Sequence, residues 1–323
     1  MSRFCSTDTY ADRNLKGRPR LREWPTGRAR AGPIIEQQGM DSLQRHQHNN
    51  VQYPILKSTG PHDGDSTLNI ELKIFGKPLR LDVAASDRPM RLADVVPVAR
   101  SICDQLVNRT IEHSQANGET PSCGRGCGAC CRYAVPLSVP EAFRLRKDIS
   151  AMPAKQRART EKLFTKAVTR IVQAGRPEIP TNTSDKDNSS SVKALTQWYA
   201  AMDMPCPLLI NECCDFYASR PTACREHLVT SSPVFCAGNN PATGNIVTMP
   251  FSVTNALAML AEEMEGLPFE AVIMTTALQW CDDNTARAQR TWPGRELIQR
   301  FTDILQKLAD QAEQQRQSAA KAA

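Results

Sequence analysis

Four cysteines stand within nine residues in Cys123-Gly-Arg-Gly-Cys127-Gly-Ala-Cys130-Cys131, and no other stretch of the chain concentrates one reactive group so tightly. Spacings of two and three residues let sulfurs turn onto a common centre, and Gly124, Gly126 and Gly128 remove side chains that would stop the backbone from folding around an ion. A second set follows in Cys206, the adjacent Cys213 and Cys214, Cys224 and Cys236. Cys5, Cys103 and Cys281 fall outside both sets. The remaining nine thiols suffice for two four-ligand sites, or for one iron-sulfur cluster with several in reserve.

Consecutive residues on an extended backbone point to opposite sides, so Cys130 and Cys131 suit one centre each unless the chain turns sharply between them. A four-thiolate zinc site carries a net charge of about −2, one divalent ion against four thiolates. Arg125, Arg132, Arg220 and Arg225 adjoin candidate ligands, where a cation offsets that charge or simply faces water. His227 follows Cys224 by three residues and could present a nitrogen beside its sulfur. The plainer reading is a hydrogen-bonded histidine next to Glu226.

Cys-x3-Cys-x2-Cys-Cys, then Cys206-Pro-Leu-Leu, then Cys214-Asp-Phe-Tyr217-x2-Arg220-Pro221-x2-Cys224-Arg225, resembles the YkgJ-type cysteine-cluster family over roughly residues 120–236. The resemblance implies a domain that chelates zinc or iron through about eight cysteines. In this chain they are Cys123, Cys127, Cys130, Cys131, Cys206, Cys214, Cys224 and Cys236. Where that family reads Cys-x-Ile-Tyr, this chain has Phe216 before Tyr217 and an extra Cys213, and alignment on Tyr217 selects Cys214. The implied cofactor is Zn2+ or Fe, an iron-sulfur cluster included.

Two enzyme readings stand beside metal binding. Cys123-x3-Cys127-x2-Cys130 also has the spacing of the three-cysteine motif of radical S-adenosylmethionine enzymes. Those use a βα barrel, an aromatic residue where Ala129 stands and a glycine-rich cofactor segment, none of which is indicated here. The family resemblance extends to a flagellin lysine methylase, but no Gly-rich methyl-donor site is visible. No general base, nucleophile or phosphate loop stands out. Function is therefore read as far as a metal-binding protein with a structural or metal- or redox-handling role.

The formal net charge of +6 is concentrated at the start of the chain: residues 1–50 carry nine Lys/Arg and five Asp/Glu, which leaves +2 for the rest. The folded part therefore shows no basic face for nucleic acid, and no protein partner is indicated. The Arg-rich start lacks the apolar run of a secretory signal, and there is no membrane span, so the expected location is the cytoplasm. In that reducing compartment close cysteines are more often metal ligands than disulfides.

The expected fold is mainly α with a small β element, α+β and helix-rich, stapled by the cysteine cluster. Residues 1–65, poor in apolar side chains, read as a disordered extension, and the pair His46 and His48 within it reads as ordinary polar sequence. Residues 66–312 form one metal-binding domain, with a loop at 176–191 and a disordered tail at 313–323. Strict alternation in Leu68–Ile74 and Leu79–Val83 around Gly76-Lys77-Pro78 predicts a hairpin. Apolar periodicity predicts helices from Leu92 to Gly118, Val139 to Asp148 with Ser138 as cap, Ala154 to Ala174, Val192 to Met202, Pro250 to Gly266, Phe269 to Cys281 and Arg295 to Gln315. A tight turn at Asn211-Glu212 would pair the segments of Cys206 and Cys214. Cys103 lies on the buried stripe of its helix and reads as core, and Cys281 beside Asp282 and Asp283 as unreactive.

Overall fold

The computed structural model describes residues 66–175, 185–236 and 245–322. The expected disordered extension, residues 1–65, lies outside them. The described part begins with a hairpin of β1 (Ser66–Ile74) and β2 (Lys77–Ala85), in register Leu68 to Val83, Ile70 to Leu81 and Leu72 to Leu79. Phe75 and Gly76 make its turn with φ of 50° and 77°, the twist that two-residue hairpin turns require. One face buries Leu72, Ile74, Leu79, Leu81 and Val83.

After β3 (Pro89–Met90), helix α1 (Leu92–Ala116) starts where the Asp94 carboxylate accepts the Arg91 N–H at 3.0 Å. Pro97 sits beyond the first turn of α1, where it has no N–H to offer the Ala93 carbonyl, and the helix continues through it. Strand β4 (Pro136–Ser138) leads into α2 (Val139–Ser150), followed by α3 (Ala154–Ala174) and α4 (Asp185–Ala201). The expected loop at 176–191 is thus shortened: residues 185–191 are helical.

The second cysteine segment supplies β5 (Leu209–Ile210), β6 (Cys213–Cys214) and the short α5 (Thr222–Glu226). Helix α6 (Val253–Glu265) is capped by the Ser252 side chain, which accepts the Asn255 N–H, and ends at the left-handed Gly266. The predicted helix from Phe269 begins as a strand. β7 (Ala271–Ile273) pairs with β4, Leu137 opposite Val272, before α7 (Ala277–Asp283) and α8 (Thr285–Ala288). Val272 and Ile273 are β-branched, and over so short an apolar run periodicity alone does not separate strand from helix. β8 (Trp292–Pro293) pairs with β3, and α9 (Gly294–Ala322) closes the described chain. The tail expected to be disordered from residue 313 continues α9, because its Ala, Gln, Lys and Arg are strong helix formers.

The fold is helix-rich, and each of the four sheets among the described residues is a single antiparallel pair. The core runs between the hairpin, α1, α2, α6 and α9, with Val95, Ala99, Leu106, Leu145, Leu257, Leu260, Leu297 and Phe301 almost fully enclosed. A smaller apolar group of Ala167, Ile171, Tyr199 and Met204 joins α3 to α4. No helix among the described residues is long and apolar enough to cross a membrane.

Candidate metal centre

The first cysteine loop leaves α1 and is made of successive turns. Cys127 N–H bonds to Gly124 O at 3.2 Å, Cys131 N–H to Gly128 O at 3.0 Å and Tyr133 N–H to Cys130 O at 3.1 Å. With few apolar side chains of its own, the loop is held from both ends. Ser122 N–H donates to Val229 O at 2.8 Å, and Met274 N–H donates to Val135 O at 2.9 Å.

The second segment is folded onto it. Cys206 N–H donates to Cys131 O at 2.7 Å. Asn211 and Glu212 then form the predicted tight turn, with φ of 51° and 59°, and place Leu209 opposite Cys214. Gly128 lies under this turn so closely that a Cβ there would stand 2.6 Å from the Glu212 carbonyl oxygen.

Backbone N–H groups point at three sulfurs, an arrangement that favours thiolates. Leu208 donates to Cys206 Sγ at 3.4 Å, Val229 to Cys123 Sγ at 3.3 Å, and the Phe216 N–H to Cys214. Burial works the other way. It raises the thiols of Cys123, Cys214, Cys224 and Cys236 and pushes Cys206 up to about 12. Cys130 and Cys131 share a hydrogen bond that lowers the first and raises the second. Cys127 is exposed, and Cys236 is buried. Cys213 and Cys214 are successive strand residues and so look opposite ways. It is Cys214 whose charge is felt at Cys131, Cys206 and Cys224.

Of the four arginines singled out in the sequence, Arg220 is the one whose charge stabilises thiolates across the site, at Cys123, Cys130, Cys214 and Cys224. Its guanidinium stacks 4.3 Å from the centre of the Tyr217 ring, and its buried Nε has no hydrogen-bond partner among the described residues. Arg125 places its guanidinium 5.7 Å from the centre of the same ring. Arg132 pairs with Asp203 and Glu212 at the surface. Arg225 is structural: buried, it pairs with Asp104 of α1 and donates to the carbonyls of Ala218 and Arg220. His227 sets its ring edge-on to Tyr133 at 5.9 Å. Its buried Nε2 is unpartnered among the described residues, and burial lowers its pKa, favouring the neutral ring.

Two carboxylates that sequence reasoning missed hold α5, and with it Cys224. Glu141 in α2 accepts from the Thr222 N–H at 2.7 Å, from Thr222 Oγ1 at 2.8 Å and from Ser138 Oγ at 3.1 Å. Glu226 accepts from the Val253 N–H at 2.6 Å and Ser252 Oγ at 2.7 Å, at the start of α6. The capping pattern Ser138-x-x-Glu141 was a signal for the first. Cys103 is fully enclosed, its sulfur 3.9 Å from Glu226 Oε1, and Cys281 is buried and pushed up to about 12, chiefly by that burial. Cys5 lies outside the described residues.

As placed, no three His, Cys, Asp or Glu side chains among the described residues converge to hold one ion. The donor chemistry nonetheless fits a thiophilic metal: grouped thiols, N–H donors on sulfur and one half-buried cation, Arg220, whose buried Nε is unpartnered among the described residues. The radical S-adenosylmethionine reading needs parallel strands, and the strand pairs among the described residues are antiparallel.

Residues 122–239 match the CxxCxxCC family model, whose description is "putative zinc- or iron-chelating domain". No curated protein and no solved structure matches the chain.

Proposed function

We propose that this chain is a metal-binding protein whose centre, zinc or iron with an iron-sulfur cluster included, is closed by two distant chain segments and staples them together. Cys123, Cys127, Cys130, Cys131, Cys206, Cys214, Cys224 and Cys236 would hold the metal. The single observation that carries this reading is the bond from Cys206 N–H to Cys131 O at 2.7 Å, which makes neighbours of the two cysteine motifs through the backbone itself. When bound, the metal supplies the positive charge that keeps these thiols deprotonated, and its binding energy becomes folding energy. The protein's own part is to aim N–H groups at Cys123, Cys206 and Cys214 and to set Arg220 against the sulfurs. A reducing cytoplasm suits such a site, since it keeps the thiols free of disulfides.

The test is anaerobic purification of the full chain with metal analysis and a visible spectrum. Zinc-thiolate is colourless, whereas an iron-sulfur cluster is brown. Cys127→Ser and Cys224→Ser should each lose part of the metal and become open to protease around residues 120–135 and 206–236, because serine is a poor ligand for thiophilic metals. Cys103→Ser, in the core, should keep its metal. Full occupancy in both motif variants, or an ordered wild type free of metal, would overturn the reading.

A further inference from the structure

We propose that the outward face of α3 is a docking surface for an acidic α-helix of a partner protein. The surface does not involve the cysteines and stands apart from the metal-binding reading above.

At about 100° per residue, Lys155, Arg159, Lys162, Lys166 and Arg170 fall within about 80° of the α3 surface, in one row about 22 Å long. All five are exposed. The side of α3 turned to the core, with Phe164, Ala167 and Ile171, is buried. Glu161, the one acidic residue of α3, stands off the row and pairs with Arg146 of α2 at 3.4 Å. Arg170 donates to the Met202 carbonyl. Lys155, Arg159, Lys162 and Lys166 have no ion pair or hydrogen bond among the described residues.

A face that only needs wetting does better with both signs of charge. Residues three and four apart on a helix are neighbours, so the row holds four like-charged pairs, each of which weakens the helix. Other helices of the chain pair their cations locally: Arg109 with Glu112 in α1, Arg144 with Asp148 in α2 and Arg316 with Glu313 in α9. On α3 the counter-charge has to come from outside the chain.

The form of the row selects the partner. Successive cations rise by about 4.5–6 Å, the spacing of carboxylates three and four residues apart on a second helix, and rows of opposite charge pair helices in this way in coiled coils. Net charge decides against a long polyanion. Residues after 50 carry +2 in all, so without these five cations the remainder is −3. A nucleic acid running past the row would meet net negative charge, whereas a partner helix of about four turns ends with it. The row also holds no aromatic residue on which unpaired bases could stack, and the buried apolar side leaves α3 nothing to insert into a membrane.

The test titrates the full chain, purified anaerobically, into labelled Ala/Glu peptides of about 20 residues, long enough to form helix, and follows fluorescence anisotropy in about 0.15 M salt. One peptide carries its glutamates in a single helical row with spacings of four, three, four and four. A second carries the same number scattered round the helix, and a DNA duplex is the third probe. The single-row peptide should bind about tenfold or more tightly than the scattered one, and Arg159→Glu with Lys162→Glu should weaken it by at least about tenfold. Those substitutions place opposite charges beside Lys155 and Lys166, so the variant should melt no lower than the wild type and its loss of binding is not loss of fold. Lys307→Glu with Lys321→Glu, the same change of charge on α9, should leave binding within about twofold. Failure to bind either peptide, equal binding of the two, binding unaffected by the α3 variant or tighter binding of the duplex would overturn the proposal. None of these outcomes bears on the metal content, which is measured separately.

Discussion

Gly128 lies against the backbone carbonyl of Glu212, where a Cβ would stand 2.6 Å from the oxygen and 2.8 Å from Leu209 Cδ1. The obstacle is backbone held in a tight turn, with both Asn211 and Glu212 at positive φ, so it has little room to give. Gly128→Ala should therefore pry the two cysteine segments apart, at a cost of about 1–3 kcal/mol, and lower the metal content. Gly124→Ala is the control. It has nothing within 4 Å of the added methyl and should change stability by less than about 0.5 kcal/mol. Thermal unfolding with metal analysis of both variants checks the pair, and equal behaviour of the two would remove the close approach from the argument.

Arg220 offers the second prediction. Its charge favours thiolate at four of the candidate ligands, and its ring partner Tyr217 fixes it there. Replacing it by Leu should weaken metal retention in a chelator competition by about 10- to 100-fold, the usual scale for groups behind the ligands. Arg220→Lys should recover part of the loss, since the charge returns without the planar stack. Arg132→Ala should change little, because its partners Asp203 and Glu212 are largely exposed. Equal loss in the Arg132 and Arg220 variants would show that general charge, not placement, matters.

Glu141 should matter more than any surface carboxylate, being 1% exposed and accepting from Ser138, the cap of α2, and from Thr222 of α5. Glu141→Ala would leave the buried Thr222 N–H without its partner. A loss of about 3 kcal/mol or more in urea unfolding is expected from several broken bonds to a buried carboxylate. Because Thr222 opens the helix that bears Cys224, metal affinity should fall with stability. Glu141→Gln keeps an acceptor oxygen and should lose less. A Glu141→Ala variant as stable as the wild type would mean that α5 is held by Glu226 and Arg225 alone.

Local chemistry was legible in the sequence, and partnership was not. The hairpin followed from alternation in Leu68–Ile74, and the boundaries of α3 fell at Ala154 and Ala174 as the apolar period required. The turn at Asn211-Glu212 was readable because Asn tolerates positive φ and the adjacent segments had to reverse. The tie of Cys123 to the stretch before Cys236 was out of reach, since it runs through Val229 and Ser231, residues with no motif of their own. The same holds for Arg220 and Arg225. They read alike as arginines beside cysteines, yet one faces sulfur and the other locks α5 to α1. At the end of the chain, low apolar content points to disorder, whereas helix propensity decides the backbone there and α9 continues to Ala322.

That end yields the last prediction. Glu313 is buried to 7% exposure and accepts the Gly76 N–H of the hairpin turn at 3.2 Å, while residues 314–321 are exposed. A helix end without packing is only marginally stable, whatever its propensity. Amides of residues 317–322 should thus exchange with deuterium almost unprotected, and those of 297–309, around Leu297, Phe301, Leu305 and Ala309, should be strongly protected. Ending the chain after Gln317 should leave Tm nearly unchanged. Ending it after Asp310 removes the carboxylate that caps Gly76 and should cost about 1 kcal/mol. Strong protection at 317–322 in the full chain would contradict this account and would require that a further surface cover the last turns of α9.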